Sequence, residues 1–167
     1  MNSTALFGMA LGLLPPWQVE SVSFNGDEGQ PKELHIHIGF LSGSRFVDGS
    51  GTLCPVHDTV ERKWQHLNFF EHHCFLHCAV PRIKKPDGKV ATVEVPWARP
   101  GSGFTLLFEA FAMALIEREM PVNRVAETLG VLPQRVWTVF NHWIANARQS
   151  EDPSTVHRLG IDETSSK

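Results

Sequence analysis

The hydrophobic periodicity of this 167-residue chain changes once, at Pro96-Trp97-Ala98-Arg99-Pro100-Gly101, and that change limits the folds open to it. Before it, apolar and polar side chains alternate, the period of a strand whose two faces meet different surroundings. After it, apolar residues recur every three or four positions, the period of a helix with one buried face. Strands followed by helices read as an α+β chain. The expected layout is a small antiparallel sheet domain with a short N-terminal helix at 1–97, an all-helical domain at 98–150, and a polar tail at 151–167.

Within the first part, Gln18–Phe24 and Glu33–Phe40 read as two strands joined by a turn. In the second of these, Leu34, Ile36, Ile38 and Phe40 share one face, and His35 and His37 the other. Leu41–Thr52, rich in Gly and Ser, reads as a loop. His72–Pro81 and Val90–Val95 read as a third and a fourth strand, with Pro86-Asp87-Gly88 turning between them. Ala5–Leu14 is apolar but only ten residues long. A membrane span needs about 20. No Lys or Arg precedes this stretch, so it reads as a core helix stopped by Pro15-Pro16 and not as a secretory signal.

Net charge is −3 with nine histidines counted as neutral, which excludes a strongly basic coat for indiscriminate phosphate binding. Three cysteines make no disulfide framework. A reducing, cytoplasmic setting without a membrane partner is the expectation.

In the second part, Phe104, Leu107, Phe108, Phe111 and Leu115 predict one face of a helix capped by Ser102 and ending near Glu119, before Pro121. The sharpest constellation follows. Ala126 offers a small residue for close helix approach, Gly130 can take the positive φ of a tight turn, and Val136 anchors a second helix opened by Pro133. Val125, Leu129, Val131 and Val139 complete an inner face. This is the pattern of a helix-turn-helix, whose second helix reads a DNA groove. Left outside are Gln134, Arg135, Thr138 and Asn141, with Arg124 and His142 as phosphate-contact candidates. Gln and Asn can bond adenine bidentately and Arg can bond guanine. Trp137 reads either as a core residue or as a contact with DNA, and Trp143 and Ile144 are expected in the core.

Cys54-Pro55-Val56-His57 has the two-residue gap of a zinc knuckle. His72, His73, Cys74, His77 and Cys78 lie on a predicted strand, whose alternation splits them between two faces. Zinc asks for about four converging ligands. The expectation is no metal. Were zinc held, Cys54 and His57 with Cys74 or Cys78 would be its ligands.

Several runs together resemble the N-terminal part of bacterial insertion-sequence transposases of the ISL-three family: Pro16-Trp17-Gln18-Val19, Val56-His57-Asp58-Thr59, Trp64-Gln65-His66-Leu67, Val80-Pro81-Arg82 and, most specifically, Val95-Pro96-Trp97-Ala98-Arg99-Pro100-Gly101-Ser102-Gly103-Phe104-Thr105. The resemblance implies a zinc-ribbon domain, then a helix-turn-helix, then an RNase-H-like catalytic domain, the first two binding the element's terminal inverted repeats. The ribbon's first Cys pair should follow Phe46, where this chain has Val47-Asp48-Gly49-Ser50-Gly51, and its second should fall near Lys85 and Gly88. The implied ribbon is therefore degenerate and metal-free. Gly160-Ile161-Asp162-Glu163-Thr164 resembles the stretch bearing the first catalytic aspartate, which would make Asp162 a vestige, since two-metal phosphoryl transfer needs several converging carboxylates.

The resulting expectation is a non-enzymatic, sequence-specific DNA-binding fragment of a transposase, truncated or domesticated. Its partners would be double-stranded DNA and a second copy or an intact transposase. The rival expectation is a protein-interaction module that no longer binds DNA.

Overall fold

The computed structural model describes residues 2–26 and 31–150. The chain is α+β and divides into two compact units, Met1–Ala114 and Leu115–Lys167. None of its described helices is long and apolar enough to cross a membrane.

The first unit opens with α1 (Ser3–Ala10), capped by the Asn2 side chain, which accepts from the Ala5 N–H at 2.9 Å. Strands β1 (Trp17–Asn25) and β2 (Glu33–Phe40) pair antiparallel, as expected. A bulge at Glu20 lets Val19 and Val22, three apart, both pack on the core, so β1 departs from strict alternation. Gly39 lies beneath the bulge, where a Cβ would collide with the Glu20 carboxylate.

Two further strands are present: the short β3 (Arg45–Val47), inside the stretch expected to be a loop, and the 17-residue β4 (Leu53–Phe69), which the sequence pattern did not announce. The third and fourth expected strands appear as β5 (His72–Lys84) and β6 (Val90–Thr92). The sheet runs β1-β2-β5-β4-β3, with β6 also on β5. It is mixed, which corrects the expected antiparallel sheet: β2 pairs parallel with β5, Leu34 beside Cys74 and Ile38 beside Cys78. The physical reason is β4, which forms a hairpin with β5 and carries the chain back so that β5 runs alongside β2.

The core follows the alternation of the two central strands. Leu34, Ile36 and Ile38 of β2 meet Cys74, Leu76, Cys78 and Val80 of β5, with Phe7, Trp64 and Trp97 closing the cluster. Each such side chain contributes about 1.5–3 kcal/mol on burial. A smaller cluster holds Phe46, Cys54 and Ile83.

Residues 98–114 belong with the sheet in the first compact unit. Backbone bonds explain this. Gln65 of β4 donates to the Gly103 carbonyl at 2.9 Å and accepts from Thr105 N–H at 3.0 Å, a one-residue parallel bridge beside Phe104. His66 Nδ1 adds a 2.8 Å bond to the Thr105 hydroxyl, and burial lowers the pKa of this imidazole.

Helix α2 (Leu106–Glu117) follows. Its cap is Thr105 and not Ser102: the Thr105 hydroxyl accepts from Phe108 N–H at 3.3 Å. Its buried face also differs from the expected stripe. Phe104 and Phe108 are buried, stacked 4.3 Å apart, but Leu107 and Phe111 are exposed. Glu109 and Ala112 take the inner positions instead. Glu109 can do so because Arg99 Nε donates to it at 2.9 Å and the Ser102 hydroxyl at 2.6 Å. A buried carboxylate is tolerated when it is paired and hydrogen-bonded in this way.

Candidate nucleic-acid interface

The second unit contains α3 (Val122–Leu129) and α4 (Pro133–Ser150), packed on each other. Pro121 starts α3, its carbonyl accepting from the N–H groups of Arg124 and Val125 at 2.8 and 3.0 Å. Gly130 ends the helix in the left-handed region, φ 66° and ψ 38°. That geometry lets Val131 N–H bond back to the Ala126 carbonyl at 2.9 Å and Gly130 N–H to Glu127 at 3.2 Å, closing the turn. Only two residues then separate Gly130 from the first residue of α4. A non-glycine side chain at this φ would be strained.

The inner face is the one anticipated. Val125, Ala126 and Leu129 of α3 and Val136 and Val139 of α4 are all buried, with Val131 half-buried in the turn. Ala126 is small enough to sit at the helix contact without pushing α4 away.

The outer face of α4 carries Gln134, Arg135, Thr138 and Asn141, every one of them exposed. Gln134, Thr138 and Asn141 stand at i, i+4 and i+7, one stripe over two helical turns. Thr138 turns its hydroxyl back to the Gln134 carbonyl at 2.9 Å, which leaves the hydroxyl oxygen able to accept. Arg135 lies beside the stripe, where partial burial lowers its guanidinium pKa. The two phosphate-contact candidates differ from this group. His142 is half-buried and its Nε2 lies 3.1 Å from the Asn146 side-chain nitrogen. Arg124 belongs to α3 and pairs with Glu127 at 2.8 Å on an exposed surface.

Of the two places open to Trp137, the structure gives it the outer one. It is 46% exposed and sits within the outer stripe, its ring meeting Phe140 edge-on at 5.6 Å. The spacing could have revealed this: 137 falls at i+3 from Gln134 and i−4 from Asn141, so it shares their face. Trp143 and Ile144 are half-buried, less enclosed than the core positions expected for them. Leu132, just before α4, is exposed.

The proposed metal ligands lie apart. Cys54 is buried with Phe46 and Ile83, while Cys74 and Cys78 lie in the main core, where burial pushes both thiols up to about 12. His57 is exposed. Among the described residues no three His, Cys, Asp or Glu side chains gather as a metal-holding group. Asp162 lies outside the described residues.

Comparison with known proteins agrees with this geometry. Residues 93–144 match the helix-turn-helix domain of transposase family ISL3. The transposase for insertion sequence element IS1557 of Mycobacterium tuberculosis, in strains CDC 1551 / Oshkosh and ATCC 25618 / H37Rv alike, is 30% identical over 112 residues. That alignment takes in 64% of this chain but only 24% of each transposase, so the chain spans about a quarter of the length of these relatives. No solved structure matches. The resemblance to insertion-sequence transposases read from the sequence therefore stands, and α3 and α4 lie within the matched helix-turn-helix segment.

Proposed function

We propose that this chain binds double-stranded DNA in a sequence-specific way, with α4 laid in the major groove, and that its targets are the terminal inverted repeats of an insertion sequence. The observation that carries the reading is the polarity of α4. Val136 and Val139 face inward, and Gln134, Thr138 and Asn141 stand together on the opposite, exposed face near the helix start. The N-terminal residues of a second helix are the ones that meet base edges in this motif. Gln134 and Asn141 suit adenine, Arg135 suits guanine, and Arg124 and His142 suit phosphate oxygens.

In this reading the described residues recognise DNA ends and do no chemistry on them. Added in excess, the chain competes with an intact transposase for the same repeats. Residues 98–150 hold five Arg against four Glu, so electrostatic attraction is modest and a second copy on the paired repeats would raise the affinity.

The test is selection from a randomised duplex pool, followed by mobility-shift titration at physiological salt. The recovered sequence should match the ends of an insertion element, and Arg135→Ala should weaken its binding by about 1–3 kcal/mol. Equal affinity for random duplex would overturn specific readout. Stable capture of a protein partner, with no duplex shifted, would favour an interaction module instead.

A further inference from the structure

We infer that Trp137 is a specificity residue of the DNA-reading face and that it reads the C5-methyl group of thymine. The inference rests on the reading of α4 as the groove-binding helix. Three observations converge on it. Trp137 occupies the same stripe as Gln134, Thr138 and Asn141, at i+3 within a run of i, i+3, i+4 and i+7, so an α4 placed to bring the polar three to base edges brings the indole there too. It is 46% exposed, although a tryptophan on a helix of this kind ordinarily packs inward. Among the described residues its ring contact is with Phe140, edge-on at 5.6 Å, which leaves much of the indole uncovered and steadies its orientation.

The chemistry of the groove then selects the ligand. A base pair offers the major groove hydrogen-bond donors, acceptors and a single apolar group, the thymine methyl. An indole carries one N–H and is otherwise apolar, so its broad surface matches that methyl and gains little from the polar edges of a G·C pair. Gln134 and Asn141 on either side are the adenine-reading types. The stripe as a whole therefore favours A·T pairs, with the amides on adenine and the indole on the opposite strand's thymine. Thr138, between them, can accept a hydrogen bond or add its own methyl.

The experiment uses the full chain and the duplex that it selects from a randomised pool. Each thymine of that duplex is replaced in turn by deoxyuridine, which removes the methyl and leaves base pairing intact. Affinity is read by fluorescence anisotropy. For the wild-type chain, one or two such replacements should weaken binding about fourfold, the effect of leaving one methyl unburied. Trp137→Ala should weaken binding to the thymine duplex and show no further loss at those positions, while Trp137→Phe should keep part of the discrimination. If deoxyuridine costs the wild type and Trp137→Ala the same, or if Trp137→Ala binds as tightly as the wild type, the inference fails while the reading of α4 stands. If the pool yields no preferred duplex, that reading fails and takes this inference with it. A large fall in the melting temperature of the DNA-free Trp137→Ala chain would also overturn the inference, because it would make the indole a core group.

Discussion

Glu109 shows how far a single residue can bend the plan of a helix. It is 0% exposed, on a face where a sequence reader would put leucine. Arg99 and Ser102 reach it from the loop before α2, so the loop and the helix hold each other by charge as well as by backbone bonds. Arg99→Ala should cost the sheet unit about 3–5 kcal/mol, because it withdraws the cation from a buried carboxylate. Urea denaturation followed by circular dichroism measures this. His77 gives a pH prediction. Burial, then the neighbouring His37 and His35 and the Lys63 charge, hold its imidazole down at about 4, with Glu33 pulling the other way. It accepts or donates a 2.9 Å bond with His35 and stacks on His37 at 4.6 Å. An unfolded histidine titrates near about 6.5, so between there and about 4 the unfolded chain binds a proton that the folded chain refuses. Stability present above that window is lost as pH falls through it. The melting temperature should fall across the window, and His77→Gln should flatten the fall.

At the scale of elements, legibility followed the strength of local pattern. The turn between α3 and α4 was readable because Gly130 has one task that other residues perform badly, and the valines on either side agree with it. Gly130→Ala should destabilise the helical unit by about 1 kcal/mol or more, by forcing a Cβ into the left-handed region, and should weaken DNA binding by misplacing α4. Thermal melts and anisotropy read the two effects separately. Strand β4 was illegible for the opposite reason. His57-Asp58-Thr59 and Glu61-Arg62-Lys63 look like loop chemistry. Asp58 is nonetheless opposite Arg82 on β5, whose guanidinium Nε donates to it at 2.6 Å and holds its carboxyl below the usual range. Along its other side β4 meets β3 only over Leu53–Pro55, and the charges suit a strand edge that must not recruit another strand. The stripe of α2 misled because Leu107 and Phe111 fit a helical period equally well whether the inner line is theirs or that of Glu109 and Ala112.

For the whole molecule, charge sets how binding should respond to salt. A net charge of −3 and a helical segment with five Arg against four Glu leave few cations for phosphates. With Arg124 and His142 of a single copy as the backbone contacts, the slope of log K against log salt should be about −1 to −2, shallow for a DNA-binding protein. Titrations at several salt concentrations measure it, and Arg124→Ala should reduce the slope by about 1. The polar members of the candidate face could be picked out from their side-chain chemistry, and the structure leaves Gln134, Arg135, Thr138 and Asn141 exposed. For Trp137 the sequence left core and outer face both open, since an aromatic residue alone does not say which way it faces.

The side-by-side run of β2 and β5 has a consequence for how the protein comes into being. Leu34 finds its neighbour Cys74 forty positions downstream, with two other strands made in between. A chain emerging from the ribosome therefore presents a two-stranded ribbon with one greasy side and one open rim for as long as β3 and β4 take to appear. Nothing local can finish that ribbon, so the first unit closes only after β5 has been made.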